Sequence, residues 1–235
     1  MSLAVCRSGK NSFVLYFWGV LFMAWFSRFT RFGDVHLVFG QENNMSCGIA
    51  SVLMCVFKIN KLAPGSQAVH ANTAIYNAYS RASGGRYQPS TQGTHPDHLV
   101  TVLNSLSCGR WAWSRLSAAQ ASRSIVNWVG VTPAPGPTVT VNPVIIGVDW
   151  DAGGAHWAVV DTIRSFMGSN YATVCDPWDA NVHVQAIDAA RPFVYNAGQG
   201  GLSVDFWGSH MGQTRPFAPG ARGRIQNWGI IHRVT

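Results

Sequence analysis

The chain has 235 residues, 47% of them apolar and 12% aromatic, which suits one good-sized domain with a real core and excludes a disordered chain. Its 24 glycines and 11 prolines follow no period, which excludes a collagen-like or repeat architecture. Of the formal charge of +7, four units (Arg7, Lys10, Arg28, Arg31) fall within residues 1–31; the mildly basic remainder has no Lys/Arg run and no nucleic-acid-binding signature, so nucleic acid is not an expected partner.

The first element is "SFVLYFWGVLFMAWF" (12–26), unbroken in apolar residues from Phe13. It is short for a membrane span but suits a signal-peptide apolar region after Arg7 and Lys10. No A-x-A cleavage pattern follows, and Arg28 and Arg31 add positive charge on the far side, so a buried or interfacial helix or a plain extension competes with that reading. Residues 1–31 are therefore set apart from a domain over 32–235, and any membrane contact is confined to 12–26. The five cysteines (Cys6, Cys47, Cys55, Cys108, Cys175) show no C-x-x-C and no zinc spacing, and their odd number disfavours a disulfide scaffold. "SGKNS" lacks the upstream glycine and the Ser/Thr directly after Lys that a phosphate loop requires, and no cofactor or metal is expected.

Val35, Leu37 and Phe39 alternate as a short strand does. From Cys47 to Phe57 the period becomes helical, with Ala50, Leu53, Met54 and Phe57 on one stripe, Asn44 and Ser46 as candidate caps and "APG" (63–65) as the stop. Residues 66–82 predict a second helix and 81–95 a loop; Pro96 opens a third helix carrying Leu99, Val100, Leu103 and Leu106 up to Gly109. Residues 130–143 predict a linker or long connection. Beyond it, "PVIIGVDWD", "HWAVVDTI" and "YATVCDPWD" are strands separated by "AGGA" and "RSFMGSN", and the tail with Ile225, Trp228, Ile230 and Ile231 closes the sheet. Helices first and strands later predict an α+β fold.

A turn near Met167–Ser169 returns the end of the second hairpin strand beside the start of the first, which makes His156 and Asp176 neighbours. A carboxylate there orients the imidazole and fixes its tautomer. Cys47 sits in the first turn of its helix, and a helix N-terminus beside an imidazolium lowers a thiol from about 8.5 to roughly 3.5–7.5. Gly48 leaves room for a substrate backbone, and Gln41 offers an amide N–H beside that of Cys47, the two donors an oxyanion needs. His183 is a rival base and His210 a weaker one. His95, Asp97 and His98 suggest a metal corner, but helix-start chemistry explains them better because no third ligand is spaced to join. Cys55, Cys108 and Cys175 read as structural, and Trp157 and Trp178 as core or cleft wall.

The order "Q-x5-C-G-x-A-S-x-x-M", "PVIIGVDWDAGGAHWAVVDTI" and "VCDPW" resembles papain-like cysteine peptidases of the bacteriocin-exporter leader-peptidase family and related bacterial effector proteases, over about residues 35–180. The resemblance implies a helical half with the nucleophile helix packed on an antiparallel sheet half. It also implies Cys47 as nucleophile, His156 as general base, Asp176 as its orienting carboxylate and Gln41 as an oxyanion donor. The implied substrate is a peptide or protein cut after small residues such as glycine. Unlike the exporter proteins, this sequence shows no span after residue 26 and no ATPase motif, which places it nearer the effector branch, in the bacterial cytoplasm or secreted. An amidase or acyl transferase on the same site, or a non-catalytic peptide binder, remain open alternatives.

Overall fold

Period-two alternation in the second half of the chain builds one large sheet. The computed structural model describes residues 25–60, 66–137, 142–197 and 221–234. In chain order these form β1 (Trp25–Phe29), β2 (Val35–Phe39), α1 (Cys47–Asn60), α2 (Ser66–Ala82), α3 (Pro96–Ser105), β3 (Arg110–Ser114), α4 (Ala118–Val129), β4 (Val131–Pro133), β5 (Val144–Trp150), β6 (Ala155–Phe166), β7 (Ser169–Asp176), β8 (Asn181–Ile187), β9 (Val194–Asn196), β10 (Arg222–Arg224) and β11 (Ile230–Val234). The main sheet runs β3-β11-β5-β6-β7-β8, all antiparallel. The short strand β4 lies parallel to β6, and β10 joins β9 to β5. The fold is α+β, as the sequence predicts.

Alternation along β6 divides the core in two. Trp157 and Val159 join Ile145 and Ile231 on the face covered by α1 to α3, whereas Ala158 and Val160 join Ile146 and Val174 on the face covered by α4. The stripe predicted for α1 is too narrow: Ile49, Val52, Cys55 and Val56 are buried along with Ala50, Leu53 and Met54. The sheet packs on one side of this helix and α2 and α3 on the other, so it is apolar nearly all round. Each large aliphatic side chain buried this way contributes about 1.5–3 kcal/mol relative to exposure.

The β6–β7 turn is Met167-Gly168, with φ of 49° and 76°, the positive values a two-residue hairpin loop needs to match strand twist. Its register shifts once, between Val160 and Thr162, and Asp161 stands at that irregularity.

Two segments differ from the sequence reading. Trp25–Phe29, counted with the N-terminal segment, pairs residue for residue with Val35–Phe39, so this hairpin runs across the division at residue 31. Arg28 flanks an apolar run in sequence, yet it is buried and donates to the Ala180 carbonyl at 2.7 Å, while Trp25 packs on Phe39 and Phe57. The proposed apolar segment 12–26 otherwise lies outside the described residues, among which no helix is long and apolar enough to cross a membrane. Within the predicted linker, Val131–Pro133 is a sheet strand, since three residues are too few for a periodic signal and the hydrogen-bonding partner, β6, lies far along the chain.

One buried ion pair ties these pieces together. Arg164 of β6 donates through Nε to Asp34 Oδ2 at 2.8 Å and through Nη2 to Asp34 Oδ1, and Nη1 and Nη2 also donate to the carbonyls of Pro133 and Gly136, respectively, at 2.8 Å each. The turn before β2, the end of β4 and the outer half of β6 thus share one guanidinium.

Candidate active site

Cys47 is the first residue of α1, and the loop before it is held in several places. Asn43 N–H donates to Ser46 Oγ, the Ser46 hydroxyl donates to Asn43 O, and Met45 N–H donates to Pro89 O, all at 3.1 Å. The helix start is therefore tied to the loop before it and to the chain near Pro89.

His156 is the second residue of β6, and its Nε2 lies 2.8 Å from Oδ1 of Asp176, the last residue of β7. Both are buried. The Cys47 thiol interacts with the same imidazole, whose Nε2 is held by Asp176. Asp176 Oδ1 also accepts from Trp178 N–H at 2.8 Å, and Trp150 stacks on the His156 ring with centroids 5.8 Å apart. Burial favours a neutral His156, but the Asp176 charge, their hydrogen bond and the Cys47 contact outweigh it and push its pKa up to about 10. Burial works against an ionised Asp176 as well; the His156 charge and hydrogen bond, then His183 and the Tyr195 hydroxyl, hold it below the usual carboxylate range.

Cys47 and His156 open onto a cleft of about 900 Å³ walled by Trp150, Trp178, Trp228 and Met45. Both tryptophans the sequence singles out, Trp157 and Trp178, line the cleft. Trp157 is almost wholly buried and donates its indole N–H to Thr94 O at 3.2 Å.

Gln41 comes near without facing the cleft. Its backbone N–H donates to Pro177 O at 2.8 Å, next to Asp176, but its side-chain Nε2 donates to the carbonyls of Asn43 and Asn44 at 2.7 and 3.1 Å. Its Oε1 is buried without a hydrogen-bond partner among the described residues. Gly48 does not leave space for substrate: a Cβ there would lie 2.0 Å from Thr94 Oγ1 and 3.0 Å from Leu99 Cδ1, so glycine is required for the close approach of the α3 entry loop.

The rival groups have other partners. His183 is buried with Nε2 3.0 Å from Asp179 Oδ2, and it does not line the cleft. His210 lies outside the described residues. His95 caps α3, its Nδ1 accepting from Asp97 N–H at 3.4 Å, which is the helix-start chemistry predicted. Cys55, Cys108 and Cys175 are buried, and desolvation pushes their thiols up. His36, Asp161 and Cys175 bring ligand-type atoms within 4.8 Å of one another, a cluster the sequence does not reveal because it spans three elements. Lys58 lies 3.0 Å from Asp161 and His36 2.7 Å, so that carboxylate is already neutralised by an ammonium, and the group reads as an ion-pair network rather than a metal centre. Trp150 and Tyr195 are site residues the sequence reading missed.

No family model matches the sequence, nor does any curated protein. Among solved structures, one similar chain is a double-glycine-motif protease from an AMS/PCAT transporter, described in complex with the leader peptide. It shares 17% identity, with a TM-score of 0.40 over 68% of this chain and 86% of that one.

Proposed function

We propose that this chain is a cysteine peptidase in which Cys47 attacks a peptide carbonyl, His156 moves the protons and Asp176 orients His156. The observation that carries the reading is one contact set: a cleft-lining thiol at a helix start interacts with an imidazole whose Nε2 is held by a buried carboxylate. The Cys47 sulfur forms a thioester as the C–N bond breaks, and His156 delivers its proton to the departing amine. It then takes a proton from water, whose oxygen displaces the sulfur. The Cys47 backbone N–H serves as one oxyanion donor, and Asn44, exposed on the cleft wall, offers a side-chain amide as the second.

Incubation with a peptide library followed by mass spectrometry tests this reading. The expected products are peptides cut at the backbone, with a thioester on Cys47 at short times and nothing from Cys47→Ala. Cuts after small residues such as glycine would support the specificity implied by the sequence resemblance. Deamidated or transferred products would instead make the site an amidase or acyl transferase, and binding without product would make the chain a peptide binder.

In this reading Gln41 braces the loop that presents the Cys47 N–H, because its amide hydrogens are committed to the loop carbonyls. Gln41→Ala should therefore lower kcat and slow Cys47 alkylation together, as the loop relaxes. If kcat alone fell, by roughly a hundred- to a thousand-fold with alkylation unchanged, Gln41 would itself be the oxyanion donor.

A further inference from the structure

His156 and Trp178 N–H both bind Oδ1 of Asp176, and the other oxygen has a different partner. Tyr195, fully buried on β9, donates its hydroxyl to Asp176 Oδ2 at 2.6 Å. We infer that Tyr195 is a positioning residue of this site, fixing the rotation of the Asp176 carboxylate and, through it, the orientation and tautomer of His156. The inference rests on the peptidase reading of Cys47, His156 and Asp176.

The fold places this phenol by a close backbone approach. Among the described strands, β9 reaches β5 through β10, where Gly223 pairs with both Tyr195 and Trp150. A Cβ at residue 223 would stand 2.5 Å from Val148 Cγ1 and 2.6 Å from the Asp149 carbonyl, so only glycine lets the ribbon come in this far. Trp150 then lies against both rings, 5.8 Å from His156 and 5.7 Å from Tyr195, and limits the movement of each. A phenylalanine would fill the same space; what the hydroxyl adds is a donor for a carboxylate oxygen with no other partner among the described residues.

Several titratable groups face Tyr195. Asp176 and Cys175 come from β7, Asp179 from the turn after it, and His183 from β8 with its ring edge-on at 5.8 Å. Burial, followed by the charges of Asp176 and Asp179, pushes the phenol well above its ordinary range, so it remains a donor across the working pH range. Its hydrogen bond helps hold the Asp176 carboxyl down, behind the larger effects of His156 and of the His183 charge. Without it the carboxylate takes up a proton at higher pH, and His156 loses its anchor.

The test compares wild type with Tyr195→Phe, reading kcat/KM on a cleaved peptide and the pH dependence of Cys47 alkylation by iodoacetamide. The variant should lose about ten- to a hundred-fold in kcat/KM, the range set by one hydrogen bond to a charged group. Its acid limb of alkylation should move to higher pH. In an Asp176→Asn background the same substitution should move neither reading further. An unchanged acid limb in folded Tyr195→Phe would overturn the inference, whatever the loss of activity. If Tyr195→Phe does not fold, the Tyr195 Cζ resonance in 13C-tyrosine-labelled protein reads the bond from the other side: it should shift on Asp176→Asn, and a constant position would overturn the inference. Failure of the peptidase reading itself would look different, because no peptide would be cut while the acid-limb shift persisted.

Discussion

His156→Ala should lower kcat by about 10⁴-fold or more and bring Cys47 alkylation at pH 6 down to the slow rate of the buried cysteines. The imidazole interacts with the thiol and is held by the buried Asp176 carboxylate. His183→Ala should cost far less in both readings, since its Nε2 is taken by Asp179 and it does not line the cleft. The reverse pattern would move the base to His183. A second consequence follows from the direction of the shift. The His156 pKa is raised from 6.5 to about 10, so the stability contributed by the imidazolium is fully present below pH 6.5 and is lost as pH rises through about 10. Denaturant midpoints measured across that window should fall for wild type and stay flatter for His156→Ala.

Asp34→Ala should destabilise the fold by roughly 3–5 kcal/mol, the range for removing one partner of a buried ion pair. The loss is large because Arg164 stays behind, about 1% exposed, without the carboxylate that it binds through Nε and Nη2. Arg164 sits eight residues along β6 from His156, roughly 26 Å at strand rise, so the folded fraction should keep its Cys47 alkylation rate. Urea unfolding gives the stability change directly. Replacing both partners by apolar residues of similar volume should cost far less than Asp34→Ala alone. A loss below about 1 kcal/mol in the single variant would show that water or the neighbouring carbonyls compensate the guanidinium.

The parts of this site legible in the sequence depend on short-range geometry. The helix beginning at Cys47 follows from its apolar run, and the nearness of His156 and Asp176 follows to within a residue from counting back from the Met167-Gly168 turn, with the register shift at Asp161 putting the two on one face. A two-residue loop fixes hairpin register, and register fixes which residues meet at the far end. The same counting could not place β1, β4 or Arg28, because their partners are remote in the chain and their own runs are short or masked by apolar neighbours. Nor could it orient Gln41, whose position beside Cys47 in sequence is equally compatible with an amide facing substrate or facing the loop carbonyls. Gly48 shows the same limit: glycine signals that something approaches closely, and only packing decides that it is Thr94. Tyr195 carried no sequence signal at all. Its role arises where β9, β10 and β5 meet across chain separations that no local pattern constrains, with Gly223 permitting the contact and the buried Asp176 oxygen requiring a donor.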